Sequence, residues 1–208
     1  MAVTTTRERL IEATADLFRR QGYTGTGVKQ IVEAASAPFG SMYHFFPEGK
    51  EELGAETIRW SGAIYLQLID VFYQAEPDPA VATRKFFEAA ADSVHDTGYT
   101  DACPIATVAL EVASTSDPLR KATADVFESW LAALDRYFSR AGLTKGQARN
   151  LSVSLFSLLE GAFILARATR DDTHVRAAGR TAADAVRAAF EKRSAHQAAR
   201  APTLSPTK

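Results

Sequence analysis

The stretch APFGSMYHFFPEGK, residues 37–50, decides how the N-terminal part of this chain is arranged. Pro38 and Pro47 each break a helix, because proline cannot continue a helix and restricts the residue before it. Between these breaks the sequence predicts a short helix over 39–45, and three aromatic residues and a histidine fill positions 43–46. So dense a cluster of rings is either a small packed core or a surface that contacts another molecule.

Two helices are predicted ahead of this stretch. Apolar residues at helical spacing indicate the first over 6–21, and Gly22 is suited to end it in a left-handed turn. After a short loop, Thr26 is the expected N-cap of a second helix over 28–35. Two short helices joined by a tight turn have the size and order of a helix-turn-helix, whose second helix lies in the DNA major groove.

A helix that enters the major groove needs small residues for close approach and polar groups for bases and phosphates. Gly40 and Ser41 are small, and Ser41, Tyr43 and His44 supply hydroxyl and imidazole groups. Helix starts add positions for phosphate contacts, since the amino end of a helix carries partial positive charge. The DNA-binding residues predicted in this way are Thr26, Gly27, Lys29, Phe39, Gly40, Ser41, Tyr43, His44 and Lys50.

The other members of the aromatic cluster are assigned to packing. We expect Met42 and Phe45 to turn inward and lock the short helix to the first one. Phe46, with the proline after it, is expected to form the hinge into the next helix. The competing interpretation of Tyr43 and His44 is a local aromatic cluster that makes no contact with DNA.

The rest of the chain is also predicted to be helical, on a longer scale. Apolar residues at helical spacing indicate about six further helices, over 50–74, 80–96, 105–113, 119–141, 144–170 and 173–193. No segment alternates in the manner of a strand between hairpin turns. We therefore predict an all-α fold of about nine helices. It would comprise an N-terminal three-helix, helix-turn-helix domain over 1–48, a ligand-binding and dimerisation domain over 49–194, and a disordered tail over 195–208.

Aromatic residues spread over five helices of the larger domain predict a ligand cavity, because such cavities are mostly apolar with a few placed polar groups. The alternative for any one of these residues is plain core. Glu111 and Glu160 lie on otherwise apolar helices, where a carboxylate is either at a rim or in a polar pocket wall. The predicted cavity residues are Trp60, Tyr65, Phe72, Phe86, Phe87, Cys103, Trp130, Phe156 and Phe163.

The helices predicted over 144–170 and 173–193 suggest a dimer. The first of them is apolar on most of its circumference and must therefore be buried on most of it, which one protomer rarely achieves. Antiparallel pairing of two such hairpins would give a four-helix bundle with twofold symmetry. The alternative is a helix buried entirely inside its own protomer. The predicted interface residues are Leu151, Leu155, Leu158, Leu159, Ala162, Val186 and Phe190.

Composition sets limits on what the chain does. The 208 residues carry a formal net charge of -1 at pH 7, so DNA binding must rest on placed contacts and not on a large positive field. The N-terminal region is only slightly basic, with Arg7, Arg9, Arg19, Arg20 and Lys29 against Glu8, Glu12, Asp16 and Glu33. No membrane span or signal sequence is expected, and the expected compartment is the cytoplasm.

Nothing in the sequence has the spacing of a catalytic or metal site. The four histidines are scattered, and neither HExxH, GxSxG nor a phosphate-binding loop occurs. The single cysteine, Cys103, excludes an intramolecular disulfide and lacks the basic neighbour that a reactive thiolate needs. We therefore expect that the protein is not an enzyme and that it binds neither a cofactor nor a metal ion. A helical adaptor that binds only protein is the alternative to a DNA-binding protein.

Residues 7–53, RERLIEATADLFRRQGYTGTGVKQIVEAASAPFGSMYHFFPEGKEEL, resemble the N-terminal DNA-binding domain of the TetR family of transcriptional repressors. The resemblance lies in the LF..QGY spacing, the I...A....GS.Y.FF core and the FP.GK..L ending. It implies an Ω-shaped homodimer with about nine helices in each protomer and a ligand pocket in the larger domain. The implied function is that of a repressor that binds a palindromic DNA operator and is released by a small hydrophobic effector.

Two later stretches, CPIATVALEVAS from Cys103 and LLEGAFILARATRD from Leu158, resemble the C-terminal domain of the subgroup that includes the LmrA and YxaF regulators. The chain departs from many relatives before the Gly-Ser pair, where Ser36, Ala37 and Phe39 replace glycine, valine and a basic residue. Phe39 therefore removes an expected phosphate or guanine contact.

Overall fold

The computed structural model of the protein describes residues 4–101 and 103–200, the segment 194–200 by its backbone alone. The part so described contains nine helices and no strand. They are α1 Thr6–Gln21, α2 Val28–Ala34, α3 Phe39–Phe45, α4 Lys50–Ala75, α5 Pro79–Asp96, α6 Pro104–Val112, α7 Asp117–Arg140, α8 Lys145–Thr169 and α9 Thr173–Arg200. The predicted all-α class is confirmed, and α9 continues to Arg200 where the sequence suggested an end at Arg193. The remainder of the predicted tail, 201–208, lies outside the described residues.

Helices α1 to α3 form a small head with its own core. Leu10 on α1, Ile31 on α2, and Met42 on α3 are fully buried, and they pack against one another. Phe46, just after α3, is also fully buried, while Phe45 is only half-buried at the edge of this core. The inward position of Met42 agrees with the sequence prediction, whereas Phe45 is less buried than predicted. Phe46, predicted as part of the hinge into α4, is also a buried anchor of the head core.

The start of α1 is fixed by a reciprocal cap. The Thr5 hydroxyl accepts from the Glu8 amide at 3.2 Å, and the Glu8 carboxylate accepts from the Thr5 amide at 2.7 Å. This contact lowers the pKa of Glu8, because hydrogen bonds from Thr5 stabilise its charged form. Further along α1, Arg9 Nε donates to the Ala35 carbonyl at 3.1 Å and ties the helix to the end of α2.

The turn between α2 and α3 depends on one residue with a left-handed backbone. Ser36 has φ +48°, which lets the Ala37 amide donate to the Val32 carbonyl at 2.9 Å and closes the end of α2. Glycine adopts this conformation without the steric cost that a Cβ brings. The Ser36 side chain is exposed, so it contributes little packing in return.

The larger domain is built around α4, which begins in the head. Along α4, Leu53 is buried in the head core, whereas Ile58 and Ile69 belong to the core of the larger domain. Helices α5 and α7 both pack on α4, and α8 and α9 pack on them in turn. Trp130 Nε1 on α7 donates to the Gly62 carbonyl on α4 at 2.8 Å, which fixes the register of these two helices.

Helix α8 is long and apolar enough, by length and composition, to cross a membrane, contrary to the expectation that no segment is. In the fold it is a packed helix, since Leu151, Leu155, Ala162 and Ala166 are buried against neighbouring helices.

The conformation of Ser36 gives a prediction about stability. We expect Ser36→Gly to raise the free energy of unfolding by about 0.5–1 kcal/mol, because glycine relieves the left-handed strain. Ser129→Gly inside α7 is the matched control and should lower the free energy by a similar amount, because a helical backbone disfavours glycine. Urea unfolding measures both variants. An equal decrease in the free energy of unfolding for the two would show that Ser36 is not strained.

Candidate functional sites

The outer face of α3 is the most exposed aromatic surface of the head. Phe39 is 56% exposed and Tyr43 is 51% exposed, and their ring centroids are 6.1 Å apart. Gly40 and His44 are exposed beside them and Ser41 is half-buried. A Cβ built on Gly40 would meet no atom within 4 Å, so the backbone there is open to close approach from outside. Four of the five α3 residues predicted to contact DNA are therefore exposed on one face, with Ser41 half-buried beside them.

The start of α2 supplies a second part of this surface. Gly27 is the N-cap of α2, and its amide donates to Gln30 Oε1 at 2.9 Å. Lys29 follows with a side chain that is 82% exposed, 3.9 Å from the Glu33 carboxylate. The N-cap prediction for Thr26 is wrong: its side chain is 1% exposed and its hydroxyl donates to the Gly22 carbonyl at 2.6 Å. Thr26 therefore holds the loop together and its hydroxyl is not available to DNA.

Lys50, at the first position of α4, also differs from expectation. Its Nζ lies 4.0 Å from the centroid of the Tyr23 ring, which is a cation–π contact within the protein. Burial lowers the pKa of Lys50, and the negative charge of Glu111 on α6 partly opposes that shift. The ammonium group is directed toward the junction with the larger domain and is half-buried there. A phosphate contact by this side chain has no support in the geometry.

Glu111 connects the larger domain to the head. Its Oε2 accepts a hydrogen bond from the Thr24 amide at 2.6 Å, so a carboxylate on α6 pairs with a backbone amide in the loop that follows α1. Gly22 makes room for it, because a Cβ at that position would lie 1.8 Å from Glu111 Oε1. The sequence indicated Glu111 only as an odd carboxylate on an apolar helix, and its partner could not be read from any pattern.

The larger domain encloses a cavity of about 230 Å³. Seven of the nine predicted cavity residues line it, together with Leu159, which was predicted for the dimer. Trp130 and Phe156 stack with centroids 5.7 Å apart and an interplanar angle of 16°. The predicted residues in the lining are Tyr65, Phe72, Phe86, Cys103, Trp130, Phe156 and Phe163.

Two predicted cavity residues lie elsewhere. Phe87 on α5 is 1% exposed and packs against α9 instead, where a Cβ on Gly179 would lie 2.5 Å from the Phe87 Cβ. Trp60 is 38% exposed on the outside of α4. Both were chosen for being aromatic, and residue type alone does not tell which face of a helix points to the cavity.

One end of the cavity is polar. Arg19 reaches it from α1, Asp101 from the loop before α6, and Cys103 from the start of α6. Burial raises the pKa of the Cys103 thiol well above its usual value, so the thiolate is disfavoured. Burial also raises the pKa of Glu160, beside that thiol, to about 7. Over the described part of the chain, no group of three or more His, Cys, Asp or Glu side chains could hold a metal ion.

The predicted dimer residues are mostly internal. Leu151, Leu155, Leu159, Ala162 and Val186 are each at most 8% exposed within a single protomer, so they cannot form a seam between protomers. Leu158 and Phe190 are half-buried against the same core. The prediction is wrong for the five buried residues, because their apolar side chains pack into the protomer's own core.

A different face of α8 is exposed. Val153 is 41%, Ile164 59% and Leu165 53% exposed, and they share this face with Ser157 and Gly161. These five residues, called the outer face of α8 below, follow helical spacing on the side away from the cavity. Small residues between exposed apolar ones allow another helix to approach closely.

A three-helix head with an accessible α3, joined to a helical domain around an apolar cavity, defines a helix-turn-helix DNA-binding transcriptional regulator. The chain belongs to the TetR family. The family model described as bacterial regulatory proteins, tetR family, matches residues 10–57. The model for the C-terminal domain of LmrA/YxaF-like transcriptional regulators matches residues 79–181. Both resemblances noted in the sequence are confirmed.

Individual relatives agree with this assignment. The chain is 36% identical over 167 residues to the HTH-type transcriptional regulator YxaF of Bacillus subtilis (strain 168). The aligned region covers 80% of this chain and 87% of that protein. It is 29% identical to the HTH-type transcriptional regulator LmrA of the same organism, over 80% of this chain and 89% of the relative. The crystal structure of regulatory protein TetR from Rhodobacter sphaeroides shares the fold, with a TM-score of 0.77 at 23% identity over 86% of this chain and 98% of that one.

The close approach of Gly22 and Glu111 gives a second prediction. Gly22 has φ 72° and ψ -176°, a region that residues other than glycine rarely adopt. We expect Gly22→Ala to lower the free energy of unfolding by about 1–3 kcal/mol through backbone strain, with a further loss from overlap with the carboxylate. Adding Glu111→Ala removes the overlap. The double variant should therefore have a higher free energy of unfolding than the sum of the two single changes predicts.

Gly146→Ala is the control for that cycle, because a Cβ there meets no atom within 4 Å and the residue lies in α8. It should be neutral or slightly stabilising. Strict additivity of the Gly22 and Glu111 substitutions in urea unfolding would contradict the contact between α6 and the loop after α1.

Proposed function

We propose that this protein is a ligand-responsive transcriptional repressor that acts in the cytoplasm. It binds a palindromic DNA operator as a homodimer, and a small hydrophobic effector in the cavity of the larger domain releases it. The observation that carries the proposal is the accessible face of α3, held in place by Met42 and Phe46 beneath it. Membership of a family of DNA-binding regulators supports the same assignment.

Helix α3 would enter the major groove with its exposed face toward the bases. Gly40 allows close approach, and Ser41 and His44 offer polar groups to base edges. Tyr43 offers a hydroxyl to a phosphate, and Phe39 offers an apolar ring, which suits the methyl group of thymine. Phe39 would thus replace a basic contact by an apolar one and change which base is preferred at that position.

Helix α2 would stand across the sugar–phosphate backbone. The α2 start presents backbone amides near Gly27 and the exposed ammonium of Lys29. The pair between Lys29 and Glu33 is long and exposed, so it contributes little and yields readily to a phosphate. Thr26 and Lys50 are left out of this set because their side chains are engaged within the protein.

The homodimer would form through the outer face of α8. Ile164 and Leu165 are both more than half exposed, and burying such side chains against a second copy gains about 25 cal/mol per Å² of apolar area. Two copies related by a twofold axis would pair α8 and α9 into a four-helix bundle. The two heads would then reach successive major grooves about 34–36 Å apart, which a palindromic operator matches.

The effector would act by changing the spacing of the heads. Helix α4 runs from the head core at Leu53 to the cavity wall at Ile69, so a tilt of α4 moves the head relative to the dimer seam. A ligand shifts this equilibrium only by its difference in affinity for the two arrangements. The apolar lining of the cavity favours a hydrophobic ligand.

The DNA-binding face is tested with Tyr43→Ala. The probe is a duplex selected from a random pool by the wild-type protein, and mobility shift at several salt concentrations measures affinity. We expect a loss of about tenfold or more, because one base or phosphate contact is worth about 1–3 kcal/mol. Leu110→Ala, at a residue that is 77% exposed on α6, is the control and should bind as the wild type does.

Unchanged affinity of the Tyr43→Ala protein would place the DNA contact on another surface. Absence of any salt-dependent duplex binding by the wild-type protein would reject the repressor altogether and favour an adaptor that binds only protein.

The dimer seam is tested with Ile164→Asp. A charge on the outer face of α8 should convert the dimer to a monomer in sedimentation velocity, because an unpaired carboxylate would have to be buried in the seam. Val71→Asp, at a residue that is 61% exposed on α4, should leave the dimer intact. A dimer that survives Ile164→Asp would mean that another surface joins the protomers.

A further inference from the structure

Helix α2 has little apolar packing of its own to fix its direction in the head. It is seven residues long, and of its side chains only Ile31 and Val32 are buried. Apolar contacts are not directional, so two of them fix the depth of a short helix in the core more firmly than its direction. The direction of α2 matters, because the turn at Ser36 joins it to α3 and passes any rotation on to that helix.

Helix α1 supplies two polar side chains that hold the two ends of α2. Near the start of α2, Gln21 Nε2 donates to the Gly25 carbonyl at 3.0 Å. At the other end, Arg9 Nε donates to the Ala35 carbonyl at 3.1 Å, and Arg9 Nη2 donates to the Thr6 hydroxyl at 3.3 Å. Hydrogen bonds are directional, so these contacts orient α2 on α1 where apolar packing does not.

The Arg9 contact lies at the turn that leads into α3. Ala35 is the C-cap of α2 and is 4% exposed. The last carbonyls of a helix lack partners within the helix, and a positive charge at that end is favourable. The Arg9 guanidinium therefore pairs with a carbonyl that α2 leaves unpaired. It also fixes the peptide group directly before the left-handed Ser36, from which the chain enters α3.

Arg9 uses one edge of its guanidinium within the head. An arginine binds a phosphate in bidentate fashion through two neighbouring nitrogen atoms of its planar group. In Arg9 the neighbouring Nε and Nη2 already donate to the Ala35 carbonyl and the Thr6 hydroxyl. The side chain is half-buried, whereas Arg20 at the other end of α1 is exposed. Arg9 is thus placed to act on α3 through the turn.

We propose that Arg9 is a positioning residue for DNA recognition, because its bond to the Ala35 carbonyl sets the direction in which α3 meets the major groove. This inference rests on the proposed role of the α3 face as the surface that reads DNA. Contacts to base edges require α3 in one orientation, since the donors and acceptors of each base pair have fixed positions in the groove. Non-specific binding comes from the charge of the phosphates and depends far less on that orientation.

The test compares two duplexes, the one selected from a random pool by the wild-type protein and one of the same composition in scrambled order. Arg9→Met removes the donor and keeps an unbranched side chain. We expect its affinity for the selected duplex to fall about tenfold, the effect of losing one base contact, and that for the scrambled duplex to change by no more than about threefold. The slope of log affinity against log salt should stay that of the wild type, because no phosphate contact is lost.

Arg20→Met is the matched control. It removes the same charge from the same helix, and Arg20 makes no hydrogen bond or ion pair with any residue in the described part of the chain. Both affinities should then stay close to those of the wild-type protein.

A second measurement follows the turn without DNA. The Ala37 amide donates to the Val32 carbonyl at 2.9 Å and closes the end of α2. In Arg9→Met its hydrogen exchange should accelerate relative to that of the Thr14 amide in the middle of α1, because the turn opens more often. Arg20→Met should leave this ratio unchanged.

Equal weakening of both duplexes by Arg9→Met, with a smaller salt slope, would overturn the inference, since Arg9 would then bind a phosphate directly. Unchanged affinity for the selected duplex, or an unchanged exchange ratio for Ala37, would also overturn it. These results differ from a failure of the proposed function, in which the wild-type protein itself binds no duplex in a salt-dependent way.

Discussion

The arrangement of the head depends on the burial of Met42 and Phe46 beneath α3. A helix of seven residues has no stability of its own in water, because nucleation costs more than so few hydrogen bonds return. Met42 from inside the helix and Phe46 from just beyond it are both fully buried with Leu10 and Leu53. These two anchors fix the rotation of α3 about its axis. Phe39, Tyr43 and the residues beside them are exposed as a direct consequence.

The second constraint is the attachment of α1 to the larger domain. Phe18, near the end of α1, is buried in the core of the larger domain and makes an edge contact with Tyr23, while Leu10 on the same helix is buried in the head core. One helix therefore belongs to both cores. Glu111 binds the loop immediately after it, and Lys50 packs on the ring of Tyr23. The junction is a packed contact between the two parts and not a flexible linker.

The sequence predicted much of this fold because helical spacing and helix breakers are local signals. The limits of α1 and α3 were predicted to the residue, since Gly22, Pro38 and Pro47 mark them. The functional side chains were harder, because their roles depend on residues distant in the chain. The sequence offered Thr26 as a cap, but the Gln30 side chain satisfies the Gly27 amide and leaves Thr26 to bond Gly22. The α8 leucines were assigned to a dimer seam because their apolar character predicts burial. It does not indicate whether the surface that buries them belongs to the same protomer or to a second one. Neither the contact of Arg19 with the cavity nor that of Glu111 with the Thr24 amide has any sequence signature.

Helix α1 packs in both cores, and this affects how a ligand could change DNA binding. A signal carried by α4 alone would have to bend or tilt a helix of 26 residues whose two ends lie in different cores. Two contacts near the C-terminal end of α1 provide a shorter route: Arg19 on α1 faces the cavity, and Glu111 on α6 binds the loop that follows α1. A ligand that contacted Arg19 from the cavity would act on a helix that packs directly against α2 and α3. The coupling free energy would then equal the difference in ligand affinity between two positions of α1, one that favours DNA binding and one that does not. A few contacts at one end of the helix would set that difference.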